Sequence, residues 1–128
     1  MCPATADLQM TLPVDRAASS LARRFLVAAK CQVHQAVVLD EALLLVSELV
    51  TNAVRYGAPP ITLRVSCIGS EGMEVRVSDG SDRLPEPRDT GASDESGRGL
   101  LLVDTLSSRW GVDSTQAGKE VWFALRPE

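Results

Sequence analysis

Apolar and polar residues alternate along several short stretches of the chain, a pattern typical of β-strands that bury one face. The alternation covers residues 8–12, 61–67 and 73–78. Two further strands are predicted at 109–113 and 120–125. A short turn containing two glycines separates the second strand from the third, so we expect these two strands to form an antiparallel hairpin.

Two longer segments repeat apolar residues at helical spacing instead. The first helix is predicted to begin at Asp15, which can cap it, and to end near Ala29. The second runs from about Gln35 to Arg55 and should end at Gly57, ahead of two consecutive prolines. The apolar stripes are Ala18, Leu21, Ala22, Phe25, Leu26 and Ala29 in the first helix, and Val38, Ala42, Leu45, Val46, Leu49, Val50 and Ala53 in the second.

Residues 81–96 break this regularity, because they are rich in Asp, Glu, Ser, Pro and Arg and nearly lack apolar side chains. A loop of that length inside a compact domain is usually functional or disordered. A short third helix is predicted after it, with Leu101, Val103 and Leu106 facing inward. Helices and strands come in groups, which favours an α+β fold. We expect residues 1–128 to form a single two-layer α/β sandwich, whose mixed or mostly antiparallel sheet is covered by helices on one face.

Charge and cysteine content argue against several functional classes. The formal net charge is −4, whereas a duplex-binding protein needs clustered Lys and Arg, so no nucleic-acid partner is expected. Three widely spaced cysteines and one histidine argue against a zinc site and favour free thiols in a reducing compartment. No apolar run is long enough to cross a membrane, and the first residues do not resemble a signal peptide. We therefore expect a cytoplasmic protein.

The first candidate site lies near the end of the second helix. Glu48 and Asn52 are four residues apart, so they share one helix face, and they interrupt an otherwise apolar segment. A carboxamide oxygen suits Mg²⁺, which keeps several waters and takes few protein ligands. A neighbouring carboxylate could act as a base toward a hydroxyl or a water. The alternative is a solvated polar edge of the helix with no chemical role.

The second candidate is the Asp79-Gly80-Ser81 turn, which directly follows a predicted strand. A carboxylate can accept a hydrogen bond from an exocyclic amine such as that of adenine, and glycine permits close approach of a ligand to the backbone. The alternative is an ordinary surface turn.

The third candidate is the segment 96–100, which opens the short third helix. Gly97 and Gly99 leave backbone amides free to hold phosphate beside a helix N-terminus, and Arg98 could add a charged contact. The alternative is a flexible hinge. The segment is not a Walker loop, because the Gly-Lys-Ser/Thr ending is missing.

Taken in order, the candidates resemble the histidine-kinase-like ATPase (Bergerat-fold) superfamily. The resemblance rests on E-L-V-T-N-A-V-R-Y-G at 48–57, D-G-S at 79–81, S-G-R-G-L-L-L-V at 96–103 and G-K-E-V-W-F-A-L at 118–125. It covers nearly the whole chain. The small size and the segment from R-G-L-L-L-V-D-T-L to W-G look most like bacterial anti-sigma-factor serine kinases.

The resemblance implies a role for each matching residue. Glu48 corresponds to the catalytic base, Asn52 to the magnesium ligand and Asp79 to the residue that holds the adenine amine. The acidic stretch before Gly97 corresponds to the mobile lid over ATP. The positions implied in cofactor binding are Asn52, Asp79, Gly80, Gly97, Arg98, Gly99, Leu100 and Lys119.

Three departures from the family pattern stand beside these matches. The usual Asp-x-Gly-x-Gly motif is replaced by Asp79-Gly80-Ser81-Asp82-Arg83, so neither glycine is in its place. Tyr56 stands where the family often has His, and Lys119 stands where many members have Thr.

The resemblance implies an ATP- and Mg²⁺-dependent anti-sigma factor that phosphorylates a serine of an anti-anti-sigma protein. Its partners would be a sigma factor, that antagonist protein and a second copy of the chain. The alternative is a non-catalytic partner-binding module on the same fold, with weak or no ATP binding, which the missing glycines favour. A detached sensor-kinase domain fits less well, because no phosphoacceptor-histidine helix is present.

Overall fold

The computed structural model describes residues 7–29, 38–67, 72–81 and 102–126. Within these ranges the chain forms two long helices, a short helical segment at 102–106 and five strands. The helices are α1 (Ala18–Ala29) and α2 (Leu39–Tyr56), and the strands are β1 (Asp7–Leu12), β2 (Ile61–Cys67), β3 (Met73–Asp79), β4 (Arg109–Thr115) and β5 (Gly118–Leu125).

The five strands form one sheet in the order β1-β2-β3-β5-β4. All four strand pairings in the described part of the chain are antiparallel, including the predicted β2–β3 hairpin. The last strand therefore inserts between β3 and β4, and this pairing places Asp79 of β3 directly opposite Lys119 of β5. The sheet and its helices confirm the predicted α+β class.

One face of the sheet is buried beneath the helices. Side chains along β3 alternate between buried and half-buried, with Met73, Val75, Val77 and Asp79 on the covered side. Helix α2 presents a continuous apolar face to this layer, and α1 packs beside it. The largest fully buried side chains are Leu26, Leu45, Val46, Val50, Ile61, Leu63, Met73, Val75, Phe123 and Leu125. The core is thus mostly aliphatic, as the scarcity of aromatic residues requires.

The helix ends agree with the predicted signals where they are described. A carboxylate oxygen of Asp15 accepts a hydrogen bond from the amide of Ala17 at 2.8 Å, just before α1. Helix α2 ends at Tyr56, and the amide of Gly57 donates to the carbonyl of Ala53 at 3.0 Å. The predicted start of α2 near 35 and nearly all of the 81–96 loop lie outside the described residues.

The opposite face of the sheet carries charged side chains from neighbouring strands. Arg76 donates to Glu74 at 2.7 Å and to Glu120 at 2.9 Å, and Arg64 reaches Glu120 at 3.3 Å. Burial lowers the pKa of Arg76, but the hydrogen bonds with Glu120 and Glu74 outweigh it and hold the pKa above the ordinary value. The guanidinium also lies 5.4 Å from the centre of the Trp122 ring. This polar face contrasts with the apolar one, as the one-sided alternation predicted.

Two strand boundaries differ from the prediction. β4 continues to Thr115 and β5 begins at Gly118, so the hairpin turn contains only two residues. The residues between 113 and 119 show no apolar alternation, because their positions are set by backbone pairing instead of side-chain burial. The correction matters because it adds Gly118 and Lys119 to the last strand, which was predicted to begin at residue 120.

We expect Gly118→Ala to lower the free energy of unfolding by about 2 kcal/mol, because it combines strained backbone with a steric clash. Gly118 has a φ of +154°, and a Cβ there would lie within 2.7 Å of the carbonyl carbon of Gly80 and closer still to the backbone oxygen of Asp79. Gly111→Ala is the control, since the three atoms nearest its Cβ would belong to a side chain, that of Trp122, and not to backbone. Urea denaturation of both variants tests this. Equal losses of stability would show that the Gly118 backbone is not a special constraint.

Candidate functional site

The centre of the candidate site is a buried ion pair between neighbouring strands. Asp79 is the last residue of β3 and Lys119 the second residue of β5, and both side chains point to the helix-covered face. The ammonium of Lys119 lies 3.0 Å from Oδ1 and 2.9 Å from Oδ2 of Asp79. The two residues are only 6% and 7% exposed, and they are the buried charged residues of the described chain.

The carboxylate of Asp79 also accepts a hydrogen bond from its own turn. The backbone amide of Ser81 donates to Oδ1 at 2.8 Å. An ionised carboxylate offers about four acceptor positions, two on each oxygen. Oδ1 therefore has both of its positions filled, and Oδ2 has one filled by Lys119.

The end of helix α2 packs against this carboxylate. A Cβ on Gly57 would lie 2.6 Å from Cγ and 2.7 Å from Oδ2 of Asp79, so a glycine is needed for the close approach. The amide of Gly80 donates to the carbonyl of Ala58 at 2.6 Å, which fixes the turn after β3 to the segment after α2. Sequence-distant candidates are thereby brought together: the end of the E-L-V-T-N-A-V-R-Y-G motif contacts the Asp-Gly-Ser turn.

Glu48 and Asn52 lie on α2, ahead of this contact, and both are half-buried. Their spacing places them about 6 Å apart along the helix axis. Oδ1 of Asn52 is buried and has no hydrogen-bond partner among the groups the structure describes. A buried polar atom without a partner is costly and calls for an explanation, such as an ion.

This acceptor fits a magnesium ion of the kind the sequence implies. A carboxamide oxygen is a hard, neutral ligand, and Mg²⁺ is commonly held by one or two protein groups together with phosphates and waters. The described residues contain no cluster of three His, Cys, Asp or Glu side chains that could hold a metal alone. Asn52 would thus supply one ligand, with the remainder coming from the nucleotide and water.

The adenine amine fits less well. Lys119 and Ser81 occupy three of the four acceptor positions of Asp79, and Gly57 packs against Oδ2. A ligand amine is left with at most one acceptor position, on Oδ2 beside Gly57.

The remaining predicted residues are Gly97, Arg98, Gly99 and Leu100, and they lie outside the described residues. Sequence reasoning did not anticipate the supporting contacts of Gly57, Ser81 and Gly118. It also did not pair Lys119 with Asp79. The cue for that pair was the register of β3 with β5, which depends on a strand order that local patterns do not encode.

The chain belongs to the histidine kinase-like ATPase domain family. The model of that family matches residues 6–125, which is nearly the full length. Membership of an ATPase domain family implies nucleotide binding, and it confirms the superfamily resemblance inferred from the motifs.

Known proteins similar to the chain include one curated relative and one solved structure. One is an uncharacterized protein of Streptomyces coelicolor, which is 43% identical over 56 residues. That alignment spans 42% of this chain and 53% of the relative, so the match covers about half of each. The other is the crystal structure of the RsbU and RsbW domains of Rv1364c from Mycobacterium tuberculosis. Its TM-score is 0.69 at 19% identity, over 95% of this chain and 32% of that one, which establishes a shared fold.

Among the residues that the structure describes, no helix has the length and apolar character needed to cross a membrane.

Proposed function

We propose that this protein is an ATP-binding anti-sigma factor with serine kinase activity toward an anti-anti-sigma protein. The observation that carries the proposal is the orphaned acceptor of Asn52, four residues from Glu48 on a helix that ends against Asp79. The family match and the fold shared with a chain that contains an RsbW domain support the same conclusion.

The chain's own residues would divide the work of phosphoryl transfer. When bound, Mg²⁺ neutralises charge on the phosphates, and Asn52 would hold it through Oδ1. Glu48 would orient the serine hydroxyl of the antagonist and accept its proton. Asp79 would hold the purine. Gly97, Arg98 and Gly99 would contact the phosphates, as the family resemblance implies. This class of reaction needs mainly positioning and electrostatic stabilisation, which such a set of residues can provide.

The proposal extends to partners and location. A sigma factor would bind the protein, and the unphosphorylated antagonist would displace it. The protein would act as a homodimer in the cytoplasm, with residues 1–128 forming one domain. The partners and the homodimer follow from the resemblance to anti-sigma-factor serine kinases, whereas the location and the single domain follow from the composition and length of the sequence.

A second function is favoured by one specific observation. The ion pair between Lys119 and Asp79 fills most of the acceptor positions that adenine recognition would use. A non-catalytic module that binds a partner protein, with little or no affinity for ATP, would need no free carboxylate there.

Incubation with γ-labelled ATP, Mg²⁺ and candidate anti-anti-sigma proteins separates the two functions. The kinase proposal expects label on a serine of one antagonist, and the same antagonist should compete with a sigma factor for the protein. Partner binding that is unaffected by ATP, without any transfer of label, would support the non-catalytic module instead.

A further inference from the structure

We propose that Lys119 competes with the base of the nucleotide for the carboxylate of Asp79. This competition sets both the affinity for nucleotide and the preference between bases. The inference rests on the proposed function, because it takes Asp79 to be the group that receives the purine amine. It reverses the role predicted for Lys119, which the sequence placed among the residues that bind the cofactor.

The geometry leaves little room for a ligand amine beside Lys119. The ammonium contacts both carboxylate oxygens at about equal distances, 3.0 and 2.9 Å. The amide of Ser81 takes the other position on Oδ1, and Gly57 packs against Oδ2. Until the Lys119 side chain moves away, an amine is therefore left with at most one acceptor position, on Oδ2 beside Gly57.

The backbone fixes the position of Lys119 beside Asp79. Asp79 and Lys119 are directly opposed in the β3–β5 register, and directly opposed residues of antiparallel strands project their side chains on the same side. Gly118, next to Lys119, packs against the backbone of Asp79 and Gly80. Lys119 therefore stays beside Asp79 whenever the sheet is formed, and only rotation of its side chain can clear the site.

This arrangement lowers the apparent affinity for nucleotide. When only a fraction of the molecules have a binding-competent site, the apparent dissociation constant rises by the inverse of that fraction. Because the buried pair is satisfied at both oxygens, we expect the open fraction to be about one tenth or less. Removing Lys119 should then tighten binding by about tenfold or more.

Competition for a carboxylate also predicts a base preference. The amine at position six of adenine can donate to Asp79, whereas inosine carries a carbonyl oxygen there, which accepts. With Lys119 in place, its ammonium can donate to that carbonyl. Without Lys119, the carboxylate of Asp79 can accept a hydrogen bond from the adenine amine but has none to donate to the inosine carbonyl. Removing Lys119 should therefore favour ATP over ITP, a change that a purely structural role for the lysine does not produce.

Titration calorimetry with Mg-ATP and Mg-ITP on the full chain tests the inference. The variants are Lys119→Met and Lys119→Thr; the threonine can donate to Asp79 yet is short enough to leave space. Arg64→Met is the matched control, since it removes a cation from another cross-strand ion pair, on the opposite face of the sheet. Circular dichroism identifies the variants that are folded, and if the methionine variant is unfolded, the threonine variant decides.

The expected result is that a folded Lys119 variant binds Mg-ATP at least about tenfold tighter than wild type, with a larger gain for ATP than for ITP. Arg64→Met should match wild type. Affinities that are unchanged or weaker in the Lys119 variants, while wild type binds ATP, would overturn the inference and leave the proposed function intact. No binding of ATP to any of the proteins would overturn the proposed nucleotide site itself, and this inference with it.

Discussion

Glu48→Gln should lower the rate of phosphoryl transfer to the antagonist by about 100- to 10,000-fold, the usual contribution of a general base. An amide has nearly the same shape as a carboxylate but cannot take up the proton of the serine hydroxyl. Affinity for Mg-ATP should change little, because the proposal assigns Glu48 to the hydroxyl and Asn52 and Asp79 to the nucleotide. Single-turnover transfer of labelled phosphate measures the first quantity, and calorimetry measures the second.

The control for this change is Glu41→Gln, on the same helix but exposed. Both variants remove one negative charge from α2, so a general electrostatic effect would appear in both. Transfer at the wild-type rate by Glu48→Gln would show that Glu48 is not the base. A matching loss in Glu41→Gln would show that the charge of the helix, not the position of Glu48, is responsible.

Asp79→Ala should lower the free energy of unfolding by about 3–5 kcal/mol, because it leaves the buried ammonium of Lys119 without its partner. Only 7% of Lys119 is exposed, so water cannot readily replace the lost carboxylate. The amide of Ser81 also loses the oxygen to which it donates. Urea denaturation monitored by circular dichroism measures the loss.

The double variant Asp79→Ala/Lys119→Met separates the charge from the packing. Without an ammonium to bury, much of the lost stability should return, so the double variant should be more stable than Asp79→Ala alone. If the second substitution adds its own loss to the first, the pair is not coupled. The account of Asp79 and Lys119 as one buried unit would then be wrong.

Much of the fold could be predicted from the sequence, because the signals are local. Strands β1, β2 and β3 alternate along their whole length, and α2 keeps its helical stripe up to the glycine that ends it. The insertion of β5 between β3 and β4 could not be derived in this way, since it depends on contacts between residues far apart in the chain. The fold class could still be predicted, because grouped helices and strands with one apolar face restrict the possible architectures.

The sequence identified individual residues of the candidate site but not how they are arranged in space. Glu48 and Asn52 interrupt an apolar helical segment, Asp79 ends an alternating strand, and the motif order connected the three residues. The ion pair between Asp79 and Lys119 could not be predicted from the sequence. Lys119 was placed in the final strand only by pairing with β3, and its side chain faces the helices because it lies directly opposite Asp79. A departure from the family pattern thus became a specific contact only in three dimensions.

We propose that a nucleotide binds where the end of α2 meets the end of β3 and the start of β5. The most direct test is a ¹H–¹⁵N correlation spectrum of the full chain, titrated with Mg-ATP. We expect the largest shifts at the amides of Asn52, Gly57, Asp79 and Lys119, and little change at Arg109 at the far end of β4. An unchanged spectrum at millimolar Mg-ATP would contradict this proposal. So would shifts that leave the amides of Asn52, Gly57, Asp79 and Lys119 unmoved.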